Sequence, residues 1–288
     1  MNVLLLVSPS SGGGRAAAAM PAVQRALAAN GWQVRTHLTR DLDDAEQVAA
    51  AAEPGTVVAA LGGDGLLSRA AAGTRVSGTV LAPLPGGRGN DFCAALGVPR
   101  DPAVAAAALL GAVERAVDVA ELDGRTVLGV ISCGFDSEAT RRANATTVVR
   151  GQLVYAWAAL RTLATWVPAE LTVTVDGTAR SFRGYTVAVG SSGRYGGGMK
   201  IAPDARMDDG LLDVVTVSHA GRWHFVSNLP KLFSGTHVDG DVVQVQLGRQ
   251  VHLTAVTPIE LYADGEPAGW VPCTVRVAPG ALRVLGGR

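Results

Sequence analysis

The sequence of residues 56–65 is TVVAALGGDG. The first six of these residues are β-branched or apolar, which is typical of a strand that is buried on both faces. Two glycines, an aspartate and a third glycine follow where the strand ends. Ligands of open α/β sheets bind at the carboxyl ends of the strands. The stretch therefore predicts a buried strand that carries a glycine-rich loop and one carboxylate to the binding edge of a sheet.

Two further glycine-rich loops follow predicted strands. The strand at Val3–Val7 leads into SPSSGGGR at residues 8–15, and the strand at Thr79–Ala82 leads into PGGRGNDF at residues 85–92. Glycine lets the main chain come close to a phosphate and turn its N–H groups toward it. Three such loops at one sheet edge would cradle a polyphosphate, with ordinary strand-to-helix turns as the alternative. The first loop is not a Walker loop, because no Gly-Lys-Ser/Thr sequence follows it.

Individual side chains in the second and third loops suit a phosphate site. Asp64 can hold Mg²⁺ or orient a ribose or a water, and an acidic turn is its alternative role. Arg88 can bind a phosphate with its planar fork. Gly89 and Asn90 stand where a helix would begin, and a helix N-terminus favours anions. Asp91 could cap that helix.

The order of predicted elements divides the chain into two domains. Up to about residue 118, strands alternate with helices, as an α/β sheet requires. Beyond it, Asp123-Gly124 joins predicted strands at 117–122 and 126–132, and Asp176-Gly177 joins strands at 171–175 and 182–189, which is typical of hairpins. Further strands are predicted at 211–217, 242–247, 251–256, 259–262 and 275–277, with helical patches near 152–165 and 223–233. We expect an α/β domain at 1–118, to which 278–288 returns, and a mostly antiparallel β-sandwich domain at 119–277.

Composition excludes several classes of protein. The chain has 288 residues, of which 48% are hydrophobic, so it can bury a sizeable core and is not disordered. The formal net charge is zero, which argues against a nucleic-acid partner. The three cysteines are far apart and lack metal-ligand spacing, so neither a disulfide framework nor a zinc site is expected. The sequence has neither a signal peptide nor a membrane-spanning run, which predicts a cytoplasmic protein.

The three loops together resemble those of the diacylglycerol-kinase catalytic family, which includes bacterial lipid kinases and sphingosine and ceramide kinases. The resemblance continues with GFD at 134–136, GGGMKIAPDA at 196–205, DDGLLDV at 208–214 and DGEP at 264–267. It covers nearly the whole chain, and its motifs stand in the family's order. The resemblance implies a fold like that of NAD kinases and diacylglycerol kinases.

The resemblance also implies site residues. Asp264 would be the general base that takes the proton from a lipid hydroxyl, and Glu266 would support it. In the family, the Asp-Gly-Leu-Leu-Asp segment binds a divalent structural cation, which here implies a side-chain oxygen of Asp209 and main-chain oxygens of Arg206 and Leu211. A tight turn is the alternative for that segment. ATP with Mg²⁺ would be held by Ser8, Ser11, Gly12, Gly62, Gly63, Asp64, Gly65, Gly87, Arg88, Gly89, Asn90 and Asp91, with Asp118 in an acidic network beside Asp91.

Four positions depart from the family pattern. Ser8 replaces an asparagine, Leu66 a threonine, Arg69 a glutamate and Arg88 a threonine. Two hydroxyl groups that would bond to phosphates are therefore missing. Arg88 would compensate with its positive charge, or the nucleotide site is altered.

The expected function is ATP-dependent phosphorylation of a lipid hydroxyl, with diacylglycerol converted to phosphatidic acid as the first candidate. The lipid would be met at the inner surface of the membrane, and a homodimer is a further expectation. The apolar patches near 153–166 and 223–233 line an acyl-chain cleft, lie on the membrane or form domain core. The alternatives are an NAD kinase, which shares the Gly-Gly-Asp-Gly loop, and a catalytically silent lipid-binding or nucleotide-binding homologue.

Overall fold

The structure is a computed structural model that describes residues 1–146 and 153–286. The chain forms two compact units, Met1–Val119 with Pro279–Arg288, and Ala120–Ala278. The strands are β1 (Asn2–Val7), β2 (Gln33–Leu38), β3 (Thr56–Gly62), β4 (Val80–Pro85), β5 (Val113–Leu122), β6 (Arg125–Val127), β7 (Val130–Gly134), β8 (Ala169–Val175), β9 (Thr178–Gly190), β10 (Arg194–Tyr195), β11 (Met199–Lys200), β12 (Leu212–Ser218), β13 (Val243–Gly248), β14 (Gln250–Ala255), β15 (Glu260–Ala263), β16 (Glu266–Trp270) and β17 (Cys273–Gly286). The α-helices are α1 (Arg15–Ala29), α2 (Leu42–Ala50), α3 (Asp64–Ser77), α4 (Asp91–Ala95), α5 (Pro102–Ala108), α6 (Phe135–Ala145), α7 (Leu153–Thr165), α8 (Arg222–Asn228) and α9 (Lys231–Ser234).

The first unit contains a parallel sheet. Its strand order is β2-β1-β3-β4, and the end of β17 lies beside β4. Strands β1, β3 and β4 are apolar and buried along almost their whole lengths, as central strands of a parallel sheet are. Because the strands are parallel, the loops that follow β1, β3 and β4 leave the same edge of the sheet. This edge carries the three glycine-rich loops.

Two helices of the first unit, α2 and α5, begin with a side-chain cap. The side chain of Asp41 accepts the Asp44 N–H at the start of α2, and that of Asp101 accepts the Ala103 and Val104 N–H groups at the start of α5. Helix α3 is different, because it begins directly at Asp64 with no side-chain cap. The chain therefore passes from β3 into α3 with Gly63 alone between them.

The second unit is built from antiparallel strands around the long strand β9. The first half of β9 pairs with β8, and its second half pairs with β7 and with β12. Strands β14 and β15 extend the sheet through β8 and β7, respectively. A large apolar cluster, which includes Ile131, Val189, Leu212 and Leu261, fills the unit. The expected fold class, an α/β unit followed by a mostly antiparallel β-sandwich, is confirmed.

Both predicted Asp-Gly hairpins are present. Asp123 and Gly124 have φ angles of 48° and 89°, and Asp176 and Gly177 have φ angles of 46° and 87°. Two consecutive positive φ angles are the signature of a tight hairpin turn whose twist matches that of the strands. Strands β5 and β6 are joined in this way, and so are β8 and β9.

Some elements differ from the sequence-based expectation. The predicted strand at 126–132 is two strands, β6 and β7, interrupted at Leu128 and Gly129. The predicted patch near 223–233 is two helices, α8 and α9, separated by Leu229 and Pro230, since proline lacks the N–H that a continuous helix needs. Helix α6 was not predicted. Helix α7 is described from Leu153, while Gln152, Gly287 and Arg288 lie outside the described residues.

None of the helices described in 1–146 and 153–286 is long and apolar enough to cross a membrane.

Candidate active site

The three glycine-rich loops of the first unit contact one another through their main chains. The Gly86 N–H donates to the Gly62 carbonyl at 2.7 Å, which joins the third loop to the second. The Gly63 N–H donates to Ser11 Oγ at 3.3 Å, which joins the second loop to the first. Ser8 begins the first loop, and its N–H donates to the Leu61 carbonyl at 3.3 Å. The structure therefore brings all three predicted loops together.

Glycine is required where the loops touch. A Cβ atom at Gly87 would overlap the Cα of Gly63, and one at Gly12 would lie 2.6 Å from the Gly86 carbonyl oxygen. Gly12 also has a φ of 62°, which disfavours any side chain. The glycines of the three motifs therefore allow main chain to pack on main chain, whatever else they bind.

Arg15 connects the first loop to the third. Its Nε donates to the Gly12 carbonyl at 3.1 Å, and its Nη2 donates to the Gly87 carbonyl at 2.8 Å. Both carbonyls are thereby directed at a fixed positive charge. Arg15 ends the first loop, and no role was predicted for it because its partner Gly87 is distant in the sequence.

Asp64 supports the third loop. Its Oδ1 accepts the N–H of Phe92 at 3.1 Å, near the start of α4. Burial raises the pKa of Asp64, and main-chain hydrogen bonds from Phe92, Asp91 and Asn90 act in the opposite direction. Gly65 follows Asp64 as the second residue of α3. The carboxylate thus joins the second loop to the third, which is a structural task beside its predicted role at Mg²⁺.

The third loop is closed by Asn90. Its Oδ1 accepts the Gly87 N–H at 2.7 Å and its Nδ2 donates to the Gly87 carbonyl at 3.2 Å, while its own φ is 57°. Asp91 is buried and is the first residue of α4, after Asn90 in the capping position. Arg88 is exposed and Gly89 is partly buried. The exposed guanidinium of Arg88 is available to an anion.

Asp118 lies on β5 in the first unit. It is buried, and its Oδ1 accepts the Gly280 N–H at 2.7 Å. It therefore fastens the strand segment that returns from the end of the chain.

Two of the departures from the family pattern have structural roles. Leu66 is buried, and a Cβ atom at Gly62 would overlap its side chain. Arg69 forms ion pairs with Glu46 at 2.9 Å and with Asp43 at 3.6 Å, which join α3 to α2. Neither side chain replaces a missing hydroxyl group of the loops.

Asp264 lies in a hairpin turn of the second unit. Asp264 and Gly265 join β15 to β16 with φ angles of 52° and 84°, so this is a third Asp-Gly turn of the same kind. Its Oδ2 accepts the Leu128 N–H at 3.0 Å and its Oδ1 accepts the Gly129 N–H at 2.7 Å. Gly129 leaves room for this contact, because a Cβ atom there would lie 2.6 Å from Oδ1. The Asp264 carboxylate therefore binds the two N–H groups at the break between β6 and β7.

The other two turn aspartates make similar contacts. Asp176 accepts N–H groups of Arg249 and Gln250, and Asp123 accepts that of Thr274 at 3.4 Å. A carboxylate held by main-chain N–H groups is thus a recurrent feature of these turns, and it does not by itself mark Asp264 as catalytic. Glu266, the first residue of β16, is exposed. Its predicted support of Asp264 stays a prediction.

A buried acidic group that had no assigned role lies on helix α6. The hydroxyl of Tyr195 donates to Asp136 Oδ2 at 3.2 Å, and burial raises the pKa of Asp136 from its ordinary value of 3.8 to about 6. Asp136 is the second residue of α6, and Asn144 of the same helix donates to the Gly265 carbonyl at 2.9 Å. Helix α6 therefore carries Asp136 and also contacts the turn of Asp264. The Gly134-Phe135-Asp136 motif was the sequence feature from which a role of Asp136 could have been predicted.

The segment predicted to bind a cation is an exposed turn before β12. Asp209 Oδ1 accepts the Leu211 N–H at 3.0 Å, and Arg206 Nε donates to Asp208 Oδ1 at 3.2 Å. Asp213 is buried, and burial together with Asp209 and Asp204 raises its pKa to about 7. Arg206, Asp209 and Leu211 are thus close in the chain, in strongly acidic surroundings that suit a cation with hard oxygen ligands.

No group of three or more His, Cys, Asp or Glu side chains is placed to hold a metal ion within residues 1–146 and 153–286. The predicted cation set uses a single carboxylate and two main-chain oxygens, so it stays a prediction.

Two family models match successive parts of the chain. Residues 2–122 match the diacylglycerol kinase catalytic domain, and residues 129–286 match the YegS C-terminal NAD kinase beta sandwich-like domain. The crystal structure of a diacylglycerol kinase from Bacillus anthracis strain Sterne has a TM-score of 0.77 at 23% identity, covering 99% of this chain and 97% of that chain. This likeness shows the fold.

Relatives of known name are similar along nearly the whole chain. A Mycobacterium tuberculosis protein named diacylglycerol kinase is 32% identical, over 99% of this chain and 94% of its own length. A Pseudomonas aeruginosa protein named probable lipid kinase YegS-like is 32% identical, over 98% of this chain and 93% of its own length. Because the two family models match residues 2–122 and 129–286 and relatives at 32% identity cover nearly the whole chain, the chain belongs to the diacylglycerol kinase catalytic-domain family of lipid kinases.

Proposed function

We propose that the protein transfers the γ-phosphoryl group of ATP to the hydroxyl of a lipid, with diacylglycerol as the first substrate and Asp264 as the general base. The observation that carries the proposal is the meeting of the three glycine-rich loops at one edge of the parallel sheet, where Gly86 bonds to Gly62 and Gly63 bonds to Ser11. Asp264 is assigned as the base from its place in the Asp-Gly-Glu motif, and the N–H groups of Leu128 and Gly129 hold its two carboxylate oxygens in one orientation. An acceptor-only carboxylate in a fixed orientation suits the removal of a proton.

The first unit would bind the nucleotide. Its three loops pack main chain against main chain at the carboxyl edge of the parallel sheet, which is where ligands of such sheets bind. Arg15 holds the carbonyls of Gly12 and Gly87 and thereby the spacing of two loops. The exposed guanidinium of Arg88 would add a positive charge in place of the family's threonine hydroxyl. Charge neutralisation and positioning are the main requirements of phosphoryl transfer.

The chemical step needs one proton acceptor. Asp264 would take the proton of the lipid hydroxyl, the oxygen would form a bond with the γ-phosphorus, and the bond from that phosphorus to the β–γ bridging oxygen would break, which releases ADP. A positioned general base contributes a factor of roughly 10²–10⁴ to such a reaction. Glu266, two residues further, would assist from the exposed start of β16.

Mg²⁺ bound with ATP would neutralise the charge of the phosphates. We assign it to Asp64, whose carboxylate lies at the junction of the second and third loops. A second cation would be held by Asp209 with the main-chain oxygens of Arg206 and Leu211, where hard oxygen donors and neighbouring acids fit such an ion. It would hold the turn before β12 in place.

The names of the relatives support diacylglycerol as the substrate. The Mycobacterium tuberculosis and Bacillus subtilis relatives are named diacylglycerol kinase, at 32% and 27% identity. Diacylglycerol is therefore the first substrate to offer, at a membrane surface or in detergent.

The test is transfer of labelled γ-phosphate from ATP with Mg²⁺ to three acceptors in parallel: dioctanoylglycerol, sphingosine and NAD. We expect labelled phosphatidic acid. Label in sphingosine phosphate would change the lipid and keep the reaction class. Label in NADP would reverse the proposal in favour of an NAD kinase, and ATP binding without any labelled product would leave a catalytically silent homologue.

A further inference from the structure

Strand β13 forms an edge of the sheet in the second unit. Among the strands that the structure describes, it pairs with β12 alone. The Val242 carbonyl, just before β13, accepts the Ser218 N–H of β12 at 2.9 Å. Successive residues of a strand direct their main-chain groups to opposite sides, so Val245 and Leu247 point theirs away from β12. This side of β13 is therefore open to another strand.

The open edge lacks the residues that usually prevent pairing with another chain. Residues 242–248 are VVQVQLG, with neither a charged residue nor a proline. Such residues protect edge strands, and two other edge strands of the chain have them, since β2 contains Arg35 and β16 begins with Glu266-Pro267. The side chains of Val245 and Leu247 are 42% and 54% exposed and lie on one face of β13. The edge is therefore apolar as well as open.

The sequence around β13 is almost symmetric about Val245. Residues 241–249 are DVVQVQLGR, so amides flank the central valine, apolar residues stand outside the amides, and the two ends carry opposite charges. Two such segments that pair antiparallel about Val245 would place apolar side chains opposite apolar ones and amides opposite amides. Asp241 of each copy would lie opposite Arg249 of the other, so that the ion pair forms twice. A shift of the register would separate these charges, which makes the centred register the favoured one.

We propose that two copies of this chain associate through β13, antiparallel and centred on Val245, so that their sheets join into one. The contact is isologous, because the same strand edge serves both copies. The outward main-chain groups of the two Val245 residues bond to each other at the two-fold axis. The proposal does not depend on the kinase function. One short strand from each copy is a small contact, so the dimer should dissociate on dilution.

Sedimentation velocity of the full chain over a range of roughly 1–100 μM tests for the dimer, and we expect a shift from monomer to dimer. Val245→Lys places two like charges opposite each other at the axis and should raise the dimer Kd at least about tenfold. Val256→Lys adds the same charge at a side chain outside β13 that is 77% exposed, and it should dimerise as the unmodified protein does. A monomer at every concentration, an intact dimer in Val245→Lys, or equal weakening in both variants would overturn the proposal.

Charge exchange tests the register. Asp241→Lys and Arg249→Glu each place like charges opposite each other at both ends of the contact, so each variant alone should dimerise about tenfold more weakly. In an equimolar mixture of the two variants, each end again has one basic and one acidic side chain. The mixture should therefore form dimers with a Kd within about threefold of that of the unmodified protein.

Restoration in the mixture requires that position 241 of one copy meet position 249 of the other, which a general loss of stability cannot mimic. Thermal unfolding checks that both variants are folded, because the Arg249 N–H also donates to Asp176. No weakening in either single variant, or no restoration in the mixture, would overturn the proposed register.

Discussion

Oδ1 of Asp264 lies 2.7 Å from the amide nitrogen of Gly129. The contact joins the hairpin turn of Asp264 to the break between β6 and β7, which lies far from this turn in the sequence. It holds the orientation of the carboxylate and requires that residue 129 have no side chain. Asp176 lies in an equivalent Asp-Gly turn and its carboxylate also accepts two main-chain N–H groups, which makes it a matched control.

Replacement of Asp264 by asparagine should lower kcat by a factor of roughly 10²–10⁴, because the amide keeps the shape and loses the base. The Kd of ATP should change by less than about twofold. Asp176→Asn removes a carboxylate from an equivalent turn and should leave kcat within about twofold of the unmodified protein. Steady-state phosphoryl transfer measures kcat, and nucleotide titration measures the Kd of ATP. Equal kcat values for the two variants would reject Asp264 as the base.

The contact between the second and third loops predicts an order of effects. In Gly87→Ala the new methyl group overlaps the Gly63 Cα, while in Gly63→Ala it would lie 3.3 Å from the Gly87 Cα. The first variant should therefore be destabilised by about 1–3 kcal/mol and bind ATP more weakly, and the second should be milder in both respects. Urea unfolding and nucleotide titration test the order. A reversed order would mean that the contact does not govern the loops.

The buried carboxyl of Asp136 should make stability depend on pH. Its pKa in the folded protein is about 6 against an ordinary 3.8, so that ionisation favours the unfolded chain. The contribution of this carboxyl to the free energy of unfolding is largest below about pH 4. It falls by about 3 kcal/mol as the pH rises through 6. Asp136→Asn lacks the titration. Relative to the unmodified protein, the variant should gain stability between pH 4 and pH 8 in urea unfolding.

The same unfolding measurements at pH 4 and pH 8 can also contradict this prediction. If the stability difference between Asp136→Asn and the unmodified protein is the same at both pH values, the carboxyl is not held away from water as the structure has it.

The exposed turn before β12 predicts a response to cations. Asp204, Asp208, Asp209 and Asp213 place four carboxylates within ten residues, so that a bound Mg²⁺ or Ca²⁺ should relieve repulsion and raise the Tm. Asp209→Asn should abolish the increase. Asp208→Asn, at a neighbouring carboxylate that is 63% exposed and paired with Arg206, should retain it. Loss in both variants, or in neither, would contradict the specific ligand set.

Local sequence patterns predicted the strands and loops, because apolar runs and Asp-Gly pairs act over a few residues. The three glycine loops could be placed at one sheet edge, since parallel strands end together. Contacts between distant segments could not be obtained in this way. Arg15 meets Gly87, Asp64 meets Phe92, and His237 meets Ile201 only after folding. Asp264-Gly265 carries the same turn signal as the two predicted hairpins, but no hairpin was predicted there.

Strand β17 belongs to both units. Its first residues pair with β14 in the second unit, and Val284 pairs with Leu81 of β4 in the first. During synthesis, the main-chain groups of β4 on this side have no strand to pair with until β17 has left the ribosome. Some 200 residues lie between β4 and β17. At a synthesis rate of roughly 5–20 residues per second, β17 is therefore made about 10–40 s after β4. The nascent first unit therefore exposes a sheet edge for this time, and a chaperone that covers unpaired strands would act on it then.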